Sequence, residues 1–274
     1  GPDIAGWSRA DAVLLRTADE LRATDFISDA TWQALASRYD REHLLDVVLT
    51  VGEQILMSAL TNSLGVQPDA GFADRLPADI ADEAPLVEMP SRHPELTVAR
   101  VPPITIAEMT PAMRLMFDPS NSGRSASNLF GTYAWHAAMY EPRNEQSEYI
   151  RQRLSITAHT REIGILRMTW LGRSDVAWST HASGARRTTL FSDAELRAIG
   201  RGPSDPIWDH VDAALLRATD ELRAGDMIGD ATWDMLSKHY TVPQLVDVVV
   251  SAVGYRVVGL FVNAFGVQRD PGNE

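Results

Sequence analysis

The stretch Thr160–Gly184, TREIGILRMTWLGRSDVAWSTHASG, reads as two helices folded back on one another at a tight turn. The first carries Arg161 and Glu162 and then an apolar run of Ile163, Ile165, Leu166, Met168 and Trp170. Leu171-Gly172-Arg173-Ser174 closes it, with Gly172 placed to take the left-handed conformation that ends a helix. Ser174 and Asp175 suit the cap of the second helix, which carries Trp178 and His181. At about 1.5 Å per residue, Glu162 and His181 stand at similar heights on facing helices. A carboxylate opposite an imidazole between apolar helices is a proton-transfer pair. The same residues also fit a structural arrangement, with Glu162 on a nearby Arg and His181 filling a core hole.

Outside this stretch, an internal repeat sets the architecture. Residues 7–71 align without gaps on 208–272 at an offset of 201, and 29 of the 65 positions are identical. WSRADAVLLRTADELRATDFISDATW matches WDHVDAALLRATDELRAGDMIGDATW, and NSLGVQPDAG matches NAFGVQRDPG. Nothing before Trp7 matches the 160–184 pair, so the chain divides into a half-domain (3–66), a linker (67–103) and a complete domain (104–274).

Each copy reads as three helices. In the second, Asp205 is the expected cap and Pro206 the start of a helix to about Arg223, and Asp230 caps a short one. Thr241-Val242-Pro243-Gln244 is a capping box opening a long, nearly all-apolar helix to Phe265, ended by Gly266. The matching helices in the first copy fall at about 9–23, 30–38 and 42–64. Seven prolines between Gln67 and Pro103 forbid continuous helix, so this linker is expected to run extended over the second unit. Further helices are expected at about 105–117, 126–140 and 145–157. No stretch alternates with period two, so the fold is expected to be all-α.

Composition narrows the chemistry. There are 274 residues, 45% of them apolar, and no cysteine, which removes disulfides, thiol peroxidase chemistry and thiolate metal sites. A formal charge of −12 argues against nucleic-acid and anionic-membrane partners. No apolar run is read as approaching the roughly 20 residues of a membrane span and no secretory signal opens the chain, so a cytoplasmic protein is expected. Lys238 is the lone lysine among many arginines, which points to a high-GC bacterial genome. His136, His159, His181 and Glu162 lack HxxxH or HExxH spacing, so no metal is expected. There is no GxxxxGK[ST] loop and no GxSxG elbow.

REIGILR, the nineteen residues from Glu162 to His181, and Trp178 three before the His resemble the carboxymuconolactone decarboxylase and alkylhydroperoxidase D-like family. LFGTYAWHAAMYEP (129–142), FSDAELRAIGRG, DATWDMLSKHYTVPQLVDVVVSAVGY and NAFGVQ follow in that family's order, so the resemblance covers roughly 95–272. It departs at the Cys-x-x-Cys of peroxidase members, where Ser174 and Ala177 stand. It departs also from the Tyr-Glu-Trp of cysteine-free members, replaced by Val176-Ala177-Trp178.

The resemblance implies an alkylhydroperoxidase D-like helical bundle, here a half-repeat plus a complete domain. It implies His181 as general base or acid and Glu162 as its carboxylate. Trp178 and His136 are expected at the pocket, and Tyr255 on the last helix near it. Arg167 and Arg173 are candidates to clamp a substrate carboxylate, each equally suited to a surface salt bridge. The expected function is a cofactor-independent lyase or isomerase acting on a small organic acid, lactone or secondary-metabolite intermediate. The alternative is a non-catalytic ligand-binding or assembly protein that keeps the scaffold. A small-molecule partner and a homo-oligomer are expected.

Overall fold

In a computed structural model, residues 1–67, 96–105, 107–116 and 127–270 are described. Twelve α-helices occur among them: α1 Arg9–Thr24, α2 Asp29–Ala36, α3 Arg41–Ser63, α4 Pro111–Met116, α5 Asn128–Tyr133, α6 Ala137–Glu148, α7 Ala158–Leu171, α8 Asp175–Arg187, α9 Asp193–Arg201, α10 His210–Gly225, α11 Asp230–Leu236 and α12 Val242–Phe265. A π-helical segment, Tyr149–Arg153, continues α6. No strand is present among the described residues. The linker's 68–95 lies outside the described residues, as do 106 and 117–126 of the helices expected beyond it.

The hub is α7, with Thr160 and every side chain from Glu162 to Thr169 buried or, at Gly164, backbone packed close. Its neighbours are α12, α10, α8 and α9. Gly164 brings α7 tight onto α12, because an added Cβ would lie 3.4 Å from Ala252 Cβ. The apolar helix α12 in turn packs against α3 of the first copy, and Gly52 of α3 sits where a Cβ would meet Val257 at 2.8 Å. Both α3 and α12 are long and apolar enough to cross a bilayer, which corrects the reading that no run approaches that length. Over its most apolar stretch α12 is 78% buried within this bundle.

The triplets α1–α3 and α10–α12 start at the same offset of 201. Local detail repeats too. Glu20 accepts from Ser28 N, Ser28 Oγ and Thr31 Oγ1 at 2.8 Å each, tying α1 to α2. Glu221 does the same for α10 and α11 through Gly229 N at 2.9 Å and Thr232 Oγ1 at 2.8 Å. α11 therefore begins after Gly229, with Asp230 as its first residue rather than its cap. Likewise α10 begins at His210, capped by Asp209, because Asp205 is engaged by Arg201 and Ile207 N in the preceding turn.

The two copies also exchange charges across their seam. Arg22 Nη2 donates to Asp226 at 2.7 Å, and the equivalent Arg223 Nε lies 3.2 Å from Asp25. Asp25 and Asp226 each end their helix in the left-handed conformation, at φ 54° and 52°. Between them Arg256, 2% exposed, reaches Asp25 at 3.1 Å, Asp226 at 2.7 Å and the Arg22 carbonyl at 2.7 Å. Such a reciprocal pattern is what a twofold interface between identical surfaces produces. From within the linker, Arg100 joins the copies, bonding Asp29 of the first and the Ala264 carbonyl of the second.

Candidate active site

The turn between α7 and α8 sets the register of the site and differs from the sequence reading in two places. The left-handed residue is Arg173, at φ 52°, while Gly172 stays helical at φ −78°. Ser174 N bonds the Thr169 carbonyl and Arg173 N the Trp170 carbonyl, a Schellman closure with Arg173 in the usual glycine position. Gly172 is required instead by space, because an added Cβ would approach Asp25 Oδ2 to 2.8 Å. Its carbonyl accepts from the Asn263 side chain at 2.8 Å. Ser174 does not cap α8 with its side chain, which is fully buried against Gly259 of α12.

With the hairpin fixed so, Glu162 and His181 meet. His181 Nδ1 lies 2.7 Å from Glu162 Oε2. The Glu162 side chain is 9% exposed and that of His181 19%. The other carboxylate oxygen, Oε1, accepts from Arg161 Nε at 3.1 Å and Nη2 at 3.0 Å. Burial opposes ionisation of Glu162, but the His181 hydrogen bond and the charges of His181 and Arg161 outweigh it and hold the carboxyl below its ordinary range. Both arrangements open to the sequence, an Arg partner and a His partner, are thus present on one carboxylate.

Tyr255 of α12 stands edge-on to the imidazole, ring centroids 4.5 Å apart at 81°. With Nδ1 on the carboxylate, no hydrogen bond engages His181 Nε2 among the described residues. No three His, Asp or Glu side chains converge as a metal site among the described residues.

The remaining candidates lie elsewhere. Arg167 is a structural pin: it forks onto Asp220 at 2.6 and 3.1 Å and donates to the Ile199 and Gly200 carbonyls at 2.8 and 3.0 Å. Its donors are used, so it does not reach the site as a clamp. Arg173 is exposed at the turn. Trp178 turns towards Trp170, 5.2 Å away, in an edge contact. His136, expected at the pocket, pairs with Asp46 of α3 at 3.0 Å and joins the start of α6 to α3. His159 is the second residue of α7, on Asp212 at 2.9 Å and against the Phe191 ring.

The sequence left open which Arg would pair with Glu162, and it is the adjacent Arg161. One feature escaped the sequence reading, the π segment. Ile150 fills the notch at Gly254, Tyr149 Oη donates to Asp247 at 2.8 Å, and Asp247 also holds Ser155 N and Oγ at 2.6 Å. The expected helix at 145–157 is therefore α6 running into this segment, ended by the Asp247 clamp before α7. An open groove of about 570 Å³ lies apart from the pair, lined by Trp32, Tyr39, Arg41, Arg100 and Trp135 among others. The groove is shallow and outward-facing, and the convergent polar groups are at His181.

No protein-family model and no curated protein matches the chain. Among solved structures, the debrominase Bmp8 in a cysteine-to-alanine form with 2,3,4-tribromopyrrole aligns over 65% of this chain and 95% of its own, at 13% identity and a TM-score of 0.51. Unliganded Bmp8 aligns over 63% and 93%, at 14% identity and a TM-score of 0.50. A protein of unknown function from Agrobacterium tumefaciens, linked by name to AhpD antioxidant defence, covers 48% of this chain and 90% of its own at 14% identity and a TM-score of 0.44. The chain is all-α and shares its fold with Bmp8.

Proposed function

We propose that this protein is a cofactor-independent lyase or isomerase that moves a proton at carbon on a small organic acid, lactone or related metabolite. The observation that carries this reading is the His181 Nδ1 to Glu162 contact of 2.7 Å, which leaves Nε2 without a protein partner among the described residues. A carboxylate on Nδ1 fixes the tautomer and stabilises the imidazolium, so Nε2 accepts a proton from substrate and returns it. Abstraction beside a carbonyl leaves an enolate. Return of the proton at another carbon completes an isomerisation, and protonation after loss of carbon dioxide completes a decarboxylation. Tyr255, whose ring stands edge-on to the imidazole, is the side chain to which this reading assigns contact with the substrate.

Two observations shape the chemistry. Arg167 is engaged by Asp220 and Arg173 is exposed at the turn, so this reading does not assign them the clamp. The Bmp8 form crystallised with its tribromopyrrole has lost a cysteine, and this chain has none, so thiol chemistry does not transfer.

The test is solvent-deuterium incorporation, followed by NMR, into a panel of carboxylated lactones and β-keto acids. Wild type should catalyse exchange or turnover, and a folded His181→Ala variant should lose at least about 100-fold, the usual scale of a general base. Equal rates in the two proteins would leave the scaffold as a ligand-binding or assembly protein.

A further inference from the structure

Glu162 has a second partner, and that partner has a second task. Arg161 grips Oε1 through Nε and Nη2 at 3.1 and 3.0 Å, and its Nη1 donates to the Arg151 carbonyl at 2.7 Å. Arg151 lies within the π segment, whose widened turn is a feature that recurs at functional positions. That segment is secured independently of the pair, by Ile150 in the Gly254 notch and by Tyr149 and Ser155 on Asp247. Gly254 immediately precedes Tyr255, the residue edge-on to His181. One guanidinium therefore ties the carboxylate to the backbone of the element that flanks the other wall of the site.

We infer that Arg161 is the positioning residue of the His181–Glu162 pair, using the π-helical backbone at Arg151 as a fixed post against which it orients Glu162 and offsets its charge. All three guanidinium nitrogens are used, so a lysine cannot reproduce the arrangement. Arg161 fixes one oxygen and leaves the other for Nδ1, so the imidazole has a single orientation. Its positive charge offsets part of the carboxylate's, so the imidazole faces a partly neutralised anion. Among the described residues, the charged and titratable groups at the pair are Glu162 and Arg161 from α7 and Tyr255 from α12.

This inference rests on the proposed proton-transfer role, but its test needs no substrate, so the two can fail separately. The intact protein is labelled with ¹⁵N-histidine, and the His181 ring nitrogens are followed against pH, assigned by their loss in His181→Ala. Removing a positive charge a few ångströms away stabilises the imidazolium, so Arg161→Gln should raise the His181 midpoint by on the order of one pH unit. Arg161→Lys, which restores the charge without the fork, should fall between the two. A midpoint in Arg161→Gln that matches wild type, or falls below it, overturns the inference. If that variant does not fold, an Arg161→Lys midpoint equal to wild type does so instead.

Discussion

The helices α3 and α12 occupy equivalent places in the two copies, yet only α12 carries a site. Both begin at a capped N-terminus and both bear an acid in the second turn, Asp46 and Asp247. Asp46 accepts His136, while Asp247 secures the π segment. Further along, α12 presents Ser251, Gly254, Tyr255, Val258, Gly259 and Val262, a face covered by α7, α8 and Ile150. The same positions on α3 are Thr50, Glu53, Gln54, Met57, Ser58 and Thr61, mostly exposed. Where a helical hairpin covers the helix, small and apolar residues let it approach. Where none does, polar residues meet water. The first copy keeps the seam and lacks the α7–α8 hairpin, and with it the acid–imidazole pair.

The comparison breaks most visibly at the charged seam, because the reciprocal bonds are equal in sequence but not in burial. Asp25 is 1% exposed and holds both Arg223 and Arg256, so Asp25→Ala strands buried cations. It should cost about 3–5 kcal/mol in denaturant unfolding. Arg22 is 57% exposed, so Arg22→Ala should cost no more than about 1 kcal/mol. Similar losses for the two would show a seam that is energetically symmetric.

The helix ends sharpen the contrast at a smaller scale. Gly65 and Gly266 close α3 and α12 in the same left-handed conformation, at φ 62° and 64°. Gly65 has open space around it, so Gly65→Ala pays conformational strain alone, about 1–2 kcal/mol. At Gly266 an added Cβ would lie 3.0 Å from Leu96 and 3.1 Å from the Val98 carbonyl. Gly266→Ala should therefore cost about 1–3 kcal/mol more than its counterpart, measured as the difference in thermal or chemical stability.

The smallest effect is a pH dependence at Asp212, whose counterpart in the first copy is Asp11. His159 has its pKa raised chiefly by the hydrogen bond to Asp212, against its burial. A raised folded value stabilises the protein fully below the ordinary histidine pKa of 6.5, and the contribution is lost as pH rises through the folded value. Asp212→Asn should flatten that alkaline loss of stability in unfolding series from pH 5 to 9. Asp11, its equivalent, bonds Ser8 in a capping box, and Asp11→Asn should leave the slope unchanged.

Much of this was legible because the helices are strongly signalled. The repeat, the Thr241–Gln244 box, Gly266 and the height match of Glu162 with His181 are all local patterns, and local patterns survive folding. What escaped was set by tertiary contact. Gly172 suggested a left-handed residue, but Asp25 from the other copy needs its missing side chain, so Arg173 bears the strain. Arg167 and Arg161 are alike in sequence, and only the fold places one on Asp220 and the other on Glu162. A π turn changes the register by one residue and leaves no periodicity to detect.

Because the two charged faces belong to one polypeptide, each meets its complement at an effective concentration set by the tether, not by the number of molecules in solution. Dilution cannot part them. A unimolecular seam of this kind holds its geometry in a sparsely expressed protein as well as in an abundant one, and it leaves each face free to drift in sequence so long as the other drifts with it.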